Sequence, residues 1–488
     1  MRRFGVGAAL VGMSLVGGLP VGHAQEAPPL VCDEPAGDPD PVAEPDAWRE
    51  RDLRNLACAT QRQQDELSNP AFLRKWAIEF GVAYGDVLDA AAQQAAEPTR
   101  PHVNPIFWNP SAKTTDPFRI PEQWEAAGRG QMEQFSFIAK TGAKLNARLY
   151  SPNPALREGR LPGITFTPGL QSYNEVNSWF AQGLAEAGYI VLIIDPQGQG
   201  SSENLPHNPD GSIDCSLEDC PNVPTNDFPE TESAIDFLLS TPTAPYPHAV
   251  GPNAAGTPTF NPLWARLDPG RIGIAGHSLG ALAVTPIGQL DPRVKAVVSY
   301  DNLDDRLGAD VVPSIHAPTL FFSTDYAFPS VLTPKDPAKP PNPAQHLGAF
   351  DQLVAAGVDA MSITPRASTH YEWGYQPFPA SFPASRYGER MSFHYTLAWF
   401  DRYLKGDTKA TARLTTLTFD RSADASSIGA GTYDGVKALA DPFDPGAGNV
   451  PYTIDGKCVA NLLSFYYDSA YRLDGGRQVS GDLRGRGC

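Results

Sequence analysis

The stretch Arg271-Ile272-Gly273-Ile274-Ala275-Gly276-His277-Ser278-Leu279-Gly280-Ala281 decides the fold. An apolar run of buried-strand length, Arg271 to Ala275, leads directly into G-x-S-x-G, and a helical pattern starts at Ala281. As a bare string G-x-S-x-G also occurs in ordinary turns; strand before and helix after make it a nucleophile elbow. In such an elbow a serine on a sharp strand-to-helix turn holds its hydroxyl above a sheet, and the flanking glycines let neighbouring backbones approach. Ser278 is therefore the candidate nucleophile. It stands at the positive end of a helix, where developing negative charge is stabilised.

Outward from the elbow, other short apolar runs have the same character. Gly163 to Thr167, Tyr189 to Ile194, Val294 to Tyr300, Pro318 to Phe322 and Ala360 to Thr364 each read as buried strands. Between them lie helical patterns: Val176, Phe180 and Leu184 ending at Gly188, then Glu230 to Leu239, and Phe393, Leu397, Phe400 and Leu404 ending at Gly406. Phe135 and Phe137 alternate with polar neighbours, Thr141-Gly142 turns, and Leu145, Ala147 and Leu149 alternate again, an antiparallel hairpin. Strands alternating with helices predict an α/β fold with a mostly parallel sheet covered on both faces.

A serine at neutral pH needs a base, and an acid to orient that base, at the ends of later strands in the order serine, acid, histidine. Asp325 follows the run ending at Phe322, and His370 follows the run ending at Thr364. In open α/β sheets the ligand crevice lies outside the carboxyl ends of the strands, which is where both residues fall. His370 is assigned as base and Asp325 as acid. Asp301, after the run ending at Tyr300, is the alternative acid. His346 and His394 are read as helix residues, and His277 as packing within the elbow. Two backbone donors for an oxyanion are expected from Leu279, next to the nucleophile, and from Leu170 in the turn Thr167-Pro168-Gly169-Leu170.

With Thr167-Pro168-Gly169, Asp195-Pro196-Gln197-Gly198-Gln199-Gly200-Ser201, the serine elbow and Trp399-Phe400-Asp401-Arg402-Tyr403-Leu404 in order, the chain resembles the α/β-hydrolase superfamily from about residue 133 to 406. It is most similar to the dienelactone-hydrolase and secreted-esterase branches. The resemblance implies an α/β-hydrolase fold and acyl-ester chemistry without a cofactor. Two departures stand out: serine replaces the cysteine of dienelactone hydrolases, and a proline-rich insert, Pro334 to Pro343, follows the Asp325 strand. No HGGG occurs in the Gly169 loop, against the lipase branch that uses it.

Cofactor and metal motifs are lacking. Asp195-Pro196-Gln197-Gly198 has neither the lysine nor the helix start of a phosphate loop. Asn208, Asp210, Gly211, Ile213 and Asp214 faintly resemble a calcium loop, but Pro206 and Leu217 stand where carboxylates are needed.

Composition bounds the rest. The 488 residues carry 48 prolines and 44 glycines, below the roughly 25–30% that marks disorder. A net charge of -17 suits neither nucleic acid nor an anionic bilayer. Arg2 and Arg3, the apolar run Phe4 to Val16 and small residues before Gln25 read as a secretory signal, too short for a membrane span. Six cysteines suit an oxidising compartment, with local pairs Cys32–Cys58, Cys215–Cys220 and Cys458–Cys488 expected among 15 connectivities.

The expected organisation is a signal peptide over 1–24, an N-terminal leader and helical extension over 25–132, a catalytic domain over 133–406 and a small C-terminal extension over 407–488. In the N-terminal extension Phe72, Trp76, Phe80, Tyr84 and Leu88 recur every four residues, a helical stripe expected to pack on the main domain. The function expected from all this is that of a secreted serine hydrolase acting on small or polymeric esters, with no cofactor, no nucleic acid and no stable membrane insertion. Acyl transfer and amide or peptide cleavage use the same triad and are the alternatives. A large gating propeller, usual for an oligopeptidase, does not fit in the residues before Glu133.

Overall fold

The computed structural model describes the chain from residue 121 to 482, apart from 204–207, 213–226, 325–346, 374–386, 416–431, 438–452, 459–466 and shorter gaps, with scattered positions between 43 and 96. A short helix α1 (Pro121–Ala126) leads into the antiparallel pair β1 (Gly130–Ile138) and β2 (Lys144–Pro152), registered Phe137 to Leu145 and Phe135 to Ala147. Then follow β3 (Leu161–Thr167), α2 (Ser178–Glu186), β4 (Ile190–Ile194), α3 (Asp227–Leu239), β5 (Leu267–His277), α4 (Leu279–Leu290) and β6 (Val294–Tyr300). After them come β7 (Thr319–Phe322), α5 (Gly348–Ala355), β8 (Ala360–Pro365), α6 (Tyr387–Leu404) and α7 (Ala410–Thr415). Last stand β9 (Tyr467–Leu473) and β10 (Arg477–Asp482).

These ten strands form one sheet in the order β1-β2-β4-β3-β5-β6-β7-β8-β9-β10, and two short antiparallel pairs, Thr432–Tyr433 with Val436–Lys437 and Thr453–Ile454 with Lys457–Cys458, stand apart from it. The block β4-β3-β5-β6-β7-β8 is parallel throughout, flanked by antiparallel hairpins at both edges. This is the mixed α/β fold with a mostly parallel sheet expected from the sequence, and it is compatible with an α/β-hydrolase fold. The strands of the parallel block are continuous apolar runs because both faces are covered. On one face Phe166, Tyr300 and Phe322 pack with Trp179 and Phe180 of α2 and Trp399 and Phe400 of α6. On the other, Leu192 and Ile272 meet Phe237 and Leu238 of α3, and Ile274 and Val297 meet Val284 and Ile287 of α4. The α4-β6 joint is tight: a Cβ on Gly288 would lie 2.3 Å from Val297 Cγ2.

The strand pair β9-β10, in the segment after residue 407, was not foreseen. Its strands alternate polar residues, as in Tyr467-Asp468-Ser469-Ala470-Tyr471-Arg472, and carry no continuous apolar run. Arg472 Nη1 meets Asp359 Oδ1 at 3.1 Å, and Tyr403 Oη donates to Asp359 Oδ2 at 2.9 Å, tying this edge to the loop before β8 and to α6.

In the N-terminal extension every described position from 70 to 96 is helical, but Leu88, at the end of the predicted stripe, is exposed rather than packed. Phe72, Trp76, Phe80 and Tyr84, the signal segment and the expected cysteine pairings lie outside the described residues, Cys458 by its side chain. Among the described residues no helix is long and apolar enough to cross a membrane.

Candidate active site

Strand β5 delivers Ser278 at φ 57 and ψ -119, a left-handed, strained conformation for a residue with a Cβ. The strain is held by close backbone packing. A Cβ on Gly276 would lie 2.6 Å from the Gly280 carbonyl carbon, and one on Gly280 would lie 1.9 Å from the Thr167 carbonyl oxygen. Only glycine fits either place. Ser278 N–H donates to the Tyr300 carbonyl at 3.0 Å, and Leu282 N–H donates to the Ser278 carbonyl at 2.9 Å, so the turn is anchored to β6 below and to α4 above.

His370 Nε2 stands 2.8 Å from Ser278 Oγ, and His370 Nδ1 stands 2.6 Å from Asp301 Oδ2. A carboxylate only accepts, so Nδ1 carries the proton and Nε2 is left as acceptor for the serine hydroxyl. Asp301 is wholly buried, and Ser278 and His370 are nearly so. Besides His370, Asp301 accepts from Thr324 N–H at 3.2 Å and Thr324 Oγ1 at 3.0 Å, which fixes its rotamer and supports its charge.

The carboxylate that meets His370 Nδ1 is that of Asp301, the alternative in the sequence reading, which assigns Asp325 as the acid. Asp301 ends β6, directly beside β5, at φ 49, with its N–H donating to the Phe322 carbonyl at 2.7 Å. The left-handed turn aims its carboxylate at the histidine loop. Asp325 itself lies outside the described residues, as does the rival base His346; His394 is buried in α6 with Nε2 3.2 Å from the Arg413 carbonyl.

Leu279 and Leu170, the residues named as oxyanion donors, both stand beside Ser278. Leu279 is the first residue of α4. Leu170 follows Gly169, where an added Cβ would fall 2.6 Å from Ser278 Cβ and 3.2 Å from its Oγ, so this turn lies directly against the nucleophile. Ser172 N–H donates within the turn to the Gly169 carbonyl at 3.1 Å and outward to Gln199 Oε1 at 3.2 Å. Leu170, next to Gly169, and Leu303, two residues beyond Asp301, are exposed.

Two supports escaped the sequence reading. Asp195, buried after β4, accepts from Asn146 Nδ2 at 2.7 Å, Asn174 N–H at 2.8 Å and Ser201 N–H at 3.0 Å. Burial first, then the charge of Glu175, pushes its carboxyl up to about 7, against the pull of those donors. The second is His277, whose ring nitrogen Nε2 lies 2.8 Å from the main-chain oxygen of His370. Apart from the Ser201 contact neither signal was local: Asp195 meets Asn146 and Asn174, and His277 meets His370, far away in the chain.

Of the residues that faintly resemble a calcium loop, Asn208 and Asp210 are described, and Gly211, Ile213 and Asp214 lie outside the described residues. Asp210 Oδ1 accepts from Ser212 N–H at 2.9 Å and Ser212 Oγ at 2.6 Å, closing a local turn. Among the described residues no group of three or more histidine, cysteine, aspartate or glutamate side chains is placed to hold a metal.

No family model matches the chain. It is similar to two curated proteins over part of its length. Thiohydrolase apmlB of Arthrinium phaeospermum is 31% identical over 175 residues, covering 35% of this chain and 43% of that protein. The uncharacterized protein PA2218 of Pseudomonas aeruginosa is 26% identical over 243 residues, 49% of this chain and 54% of the relative. The chain thus spans about half the length of the curated relatives it matches, and its similarity to a thiohydrolase is distant.

Proposed function

We propose that the chain is a serine hydrolase that cleaves carboxylic esters through an acyl-enzyme, with Ser278 as nucleophile, His370 as base and Asp301 as its acid partner. The observation that carries this reading is the continuous hydrogen-bonded series from Ser278 Oγ to His370 Nε2 at 2.8 Å and from His370 Nδ1 to Asp301 Oδ2 at 2.6 Å. Ser278 Oγ attacks the acyl carbon as His370 Nε2 takes its proton, and Asp301 stabilises the imidazolium that forms. The oxyanion develops between the N–H groups of Leu279 and Leu170, and removing one such donor typically costs about 10²–10³ in rate. Collapse expels the alcohol with the proton from His370; water, activated by the same histidine, then releases the acid.

The exposed Leu170, in the turn that lies against Ser278, supports an apolar acyl group at the mouth. Thioesters are the second reading, favoured by the similarity to a thiohydrolase. They need the same nucleophile and oxyanion donors and expel a thiolate in place of an alkoxide. The residues before Gln25 support export, so the enzyme would work outside the cytoplasm.

A panel of p-nitrophenyl esters from acetate to palmitate, run beside acyl thioesters with thiol release as readout, tests both readings. Ester turnover abolished by Ser278→Ala is the expected result; turnover that survives the substitution overturns the reading. Thioester turnover exceeding that of the oxygen esters at matched acyl length would select the second.

A further inference from the structure

We propose that His277 is a positioning residue, which holds the base His370 in register with the nucleophile through a hydrogen bond from its own ring to the His370 main chain. The inference rests on the serine-hydrolase reading above and adds to it a residue that performs none of the bond-making steps.

His277 is the last residue of β5 and the immediate neighbour of Ser278. Its Nε2 lies 2.8 Å from the His370 carbonyl oxygen, across 93 residues of chain. A carbonyl oxygen only accepts, so Nε2 carries the proton. The rings of His277 and His370 lie 4.8 Å apart between centroids, with their planes 35° from parallel. One short segment of β5 therefore supplies two contacts to the same partner: Ser278 meets the His370 imidazole, and His277 meets its backbone. Fixing the main chain as well as the ring removes a hinge that the imidazole contact alone leaves free.

The far end of this turn is fixed independently. Trp373 O accepts from Asn177 Nδ2 at 3.1 Å and Trp179 Nε1 at 3.2 Å, and Trp373 Nε1 donates to Ser392 Oγ at 2.6 Å. At His370 itself, the His277 side chain meets the backbone oxygen. Burial, reinforced by the neighbouring His370, pushes the His277 ring down to about 3, so it is neutral across the working range. A neutral ring at this distance does not oppose the positive charge that His370 gains during attack, as a charged one would.

The consequence is a kcat effect. Misplacing a catalytic group by about 1 Å can cost about 10² in rate. His277→Leu keeps the bulk and removes the donor; kcat on a p-nitrophenyl ester falls ten- to a hundredfold with KM within about twofold. His277→Gln, whose amide also presents an N–H, restores kcat to within a few-fold. If the leucine variant does not fold, His277→Asn takes its place as the donor-less variant: one methylene shorter than Gln, its amide stops short of the His370 carbonyl, so it loses kcat while melting near wild type. Unchanged kcat in the folded donor-less variant, or Gln no better than Leu or Asn, overturns the proposal.

A second readout needs no turnover. The Nδ1 proton shared with Asp301 gives a downfield imidazole resonance in the wild type and in His277→Gln, and it is lost to exchange in the donor-less variant. Were the wild type to show that resonance but turn over no ester, the hydrolase reading would fail while the positioning role stood. Persistence of the resonance in the donor-less variant counts against His277.

Discussion

Asp301 Oδ2 accepts the Nδ1 proton of His370 at 2.6 Å from a residue at φ 49, so the carboxylate on this imidazole comes from the end of β6, the strand next to the one that delivers Ser278. The left-handed turn at Asp301 costs of order 1–3 kcal/mol, and it persists because Thr324 and the Phe322 carbonyl over-determine it.

Asp301→Asn should therefore lower kcat by up to about 10⁴, since the amide no longer selects the Nδ1–H tautomer. Asp325→Asn should stay within a few-fold of wild type. Steady-state kinetics on the two variants decides between the acids, and the reverse ranking would restore Asp325.

Alanine at Gly280 and at Gly169 should separate folding from chemistry. A Cβ at Gly280 would enter the Thr167 backbone at 1.9 Å, so the elbow itself must shift and the melting temperature should drop sharply. At Gly169 the Cβ would meet Ser278 Cβ at 2.6 Å and reach within 3.2 Å of its Oγ. That variant should melt closer to wild type yet lose about 10²-fold or more in kcat/KM. Equal activity in Gly169→Ala and the wild type would show that the turn is not part of the site.

Asp195 makes stability depend on pH. Its folded carboxyl is raised from 3.8 to about 7, so between those values the folded state holds a proton that the unfolded state has released. This contribution is fully present below about pH 4 and is lost as pH rises through about 7. Urea midpoints across that window should fall more steeply for the wild type than for Asp195→Asn, which cannot titrate. Parallel slopes would refute it.

The C-terminal edge should be a stability element. Asp359 receives Arg472 Nη1 at 3.1 Å, Tyr403 Oη at 2.9 Å and Asp474 N–H at 3.2 Å. Asp359→Ala leaves these donors without their acceptor, at a cost of about 2–3 kcal/mol, to be read by chemical denaturation. A loss under about 0.5 kcal/mol would place the edge outside the folding unit.

What the sequence made legible was whatever depends on local order. The elbow declared itself because Ile272, Ile274 and Ala275 precede it and a helix follows, and each strand of the parallel block appeared as an apolar run because both its faces are covered. The acid was ambiguous because Asp301 and Asp325 both follow apolar strands, and chain order alone does not say which strand end faces His370. The grip of His277 on His370 joins residues 93 apart, which no spacing encodes. Strand β9 was missed because its pattern, with Asp468, Ser469 and Arg472, matches neither a covered strand nor a helix.

The most direct test of the account is covalent labelling with a fluorophosphonate, the adduct located by peptide mass spectrometry in the wild type, in Ser278→Ala and in His370→Ala. The account predicts one adduct on Ser278, absent from the alanine variant and formed at least about 10³-fold more slowly without the histidine. An adduct on another residue, or labelling of Ser278 at an undiminished rate in His370→Ala, would contradict it.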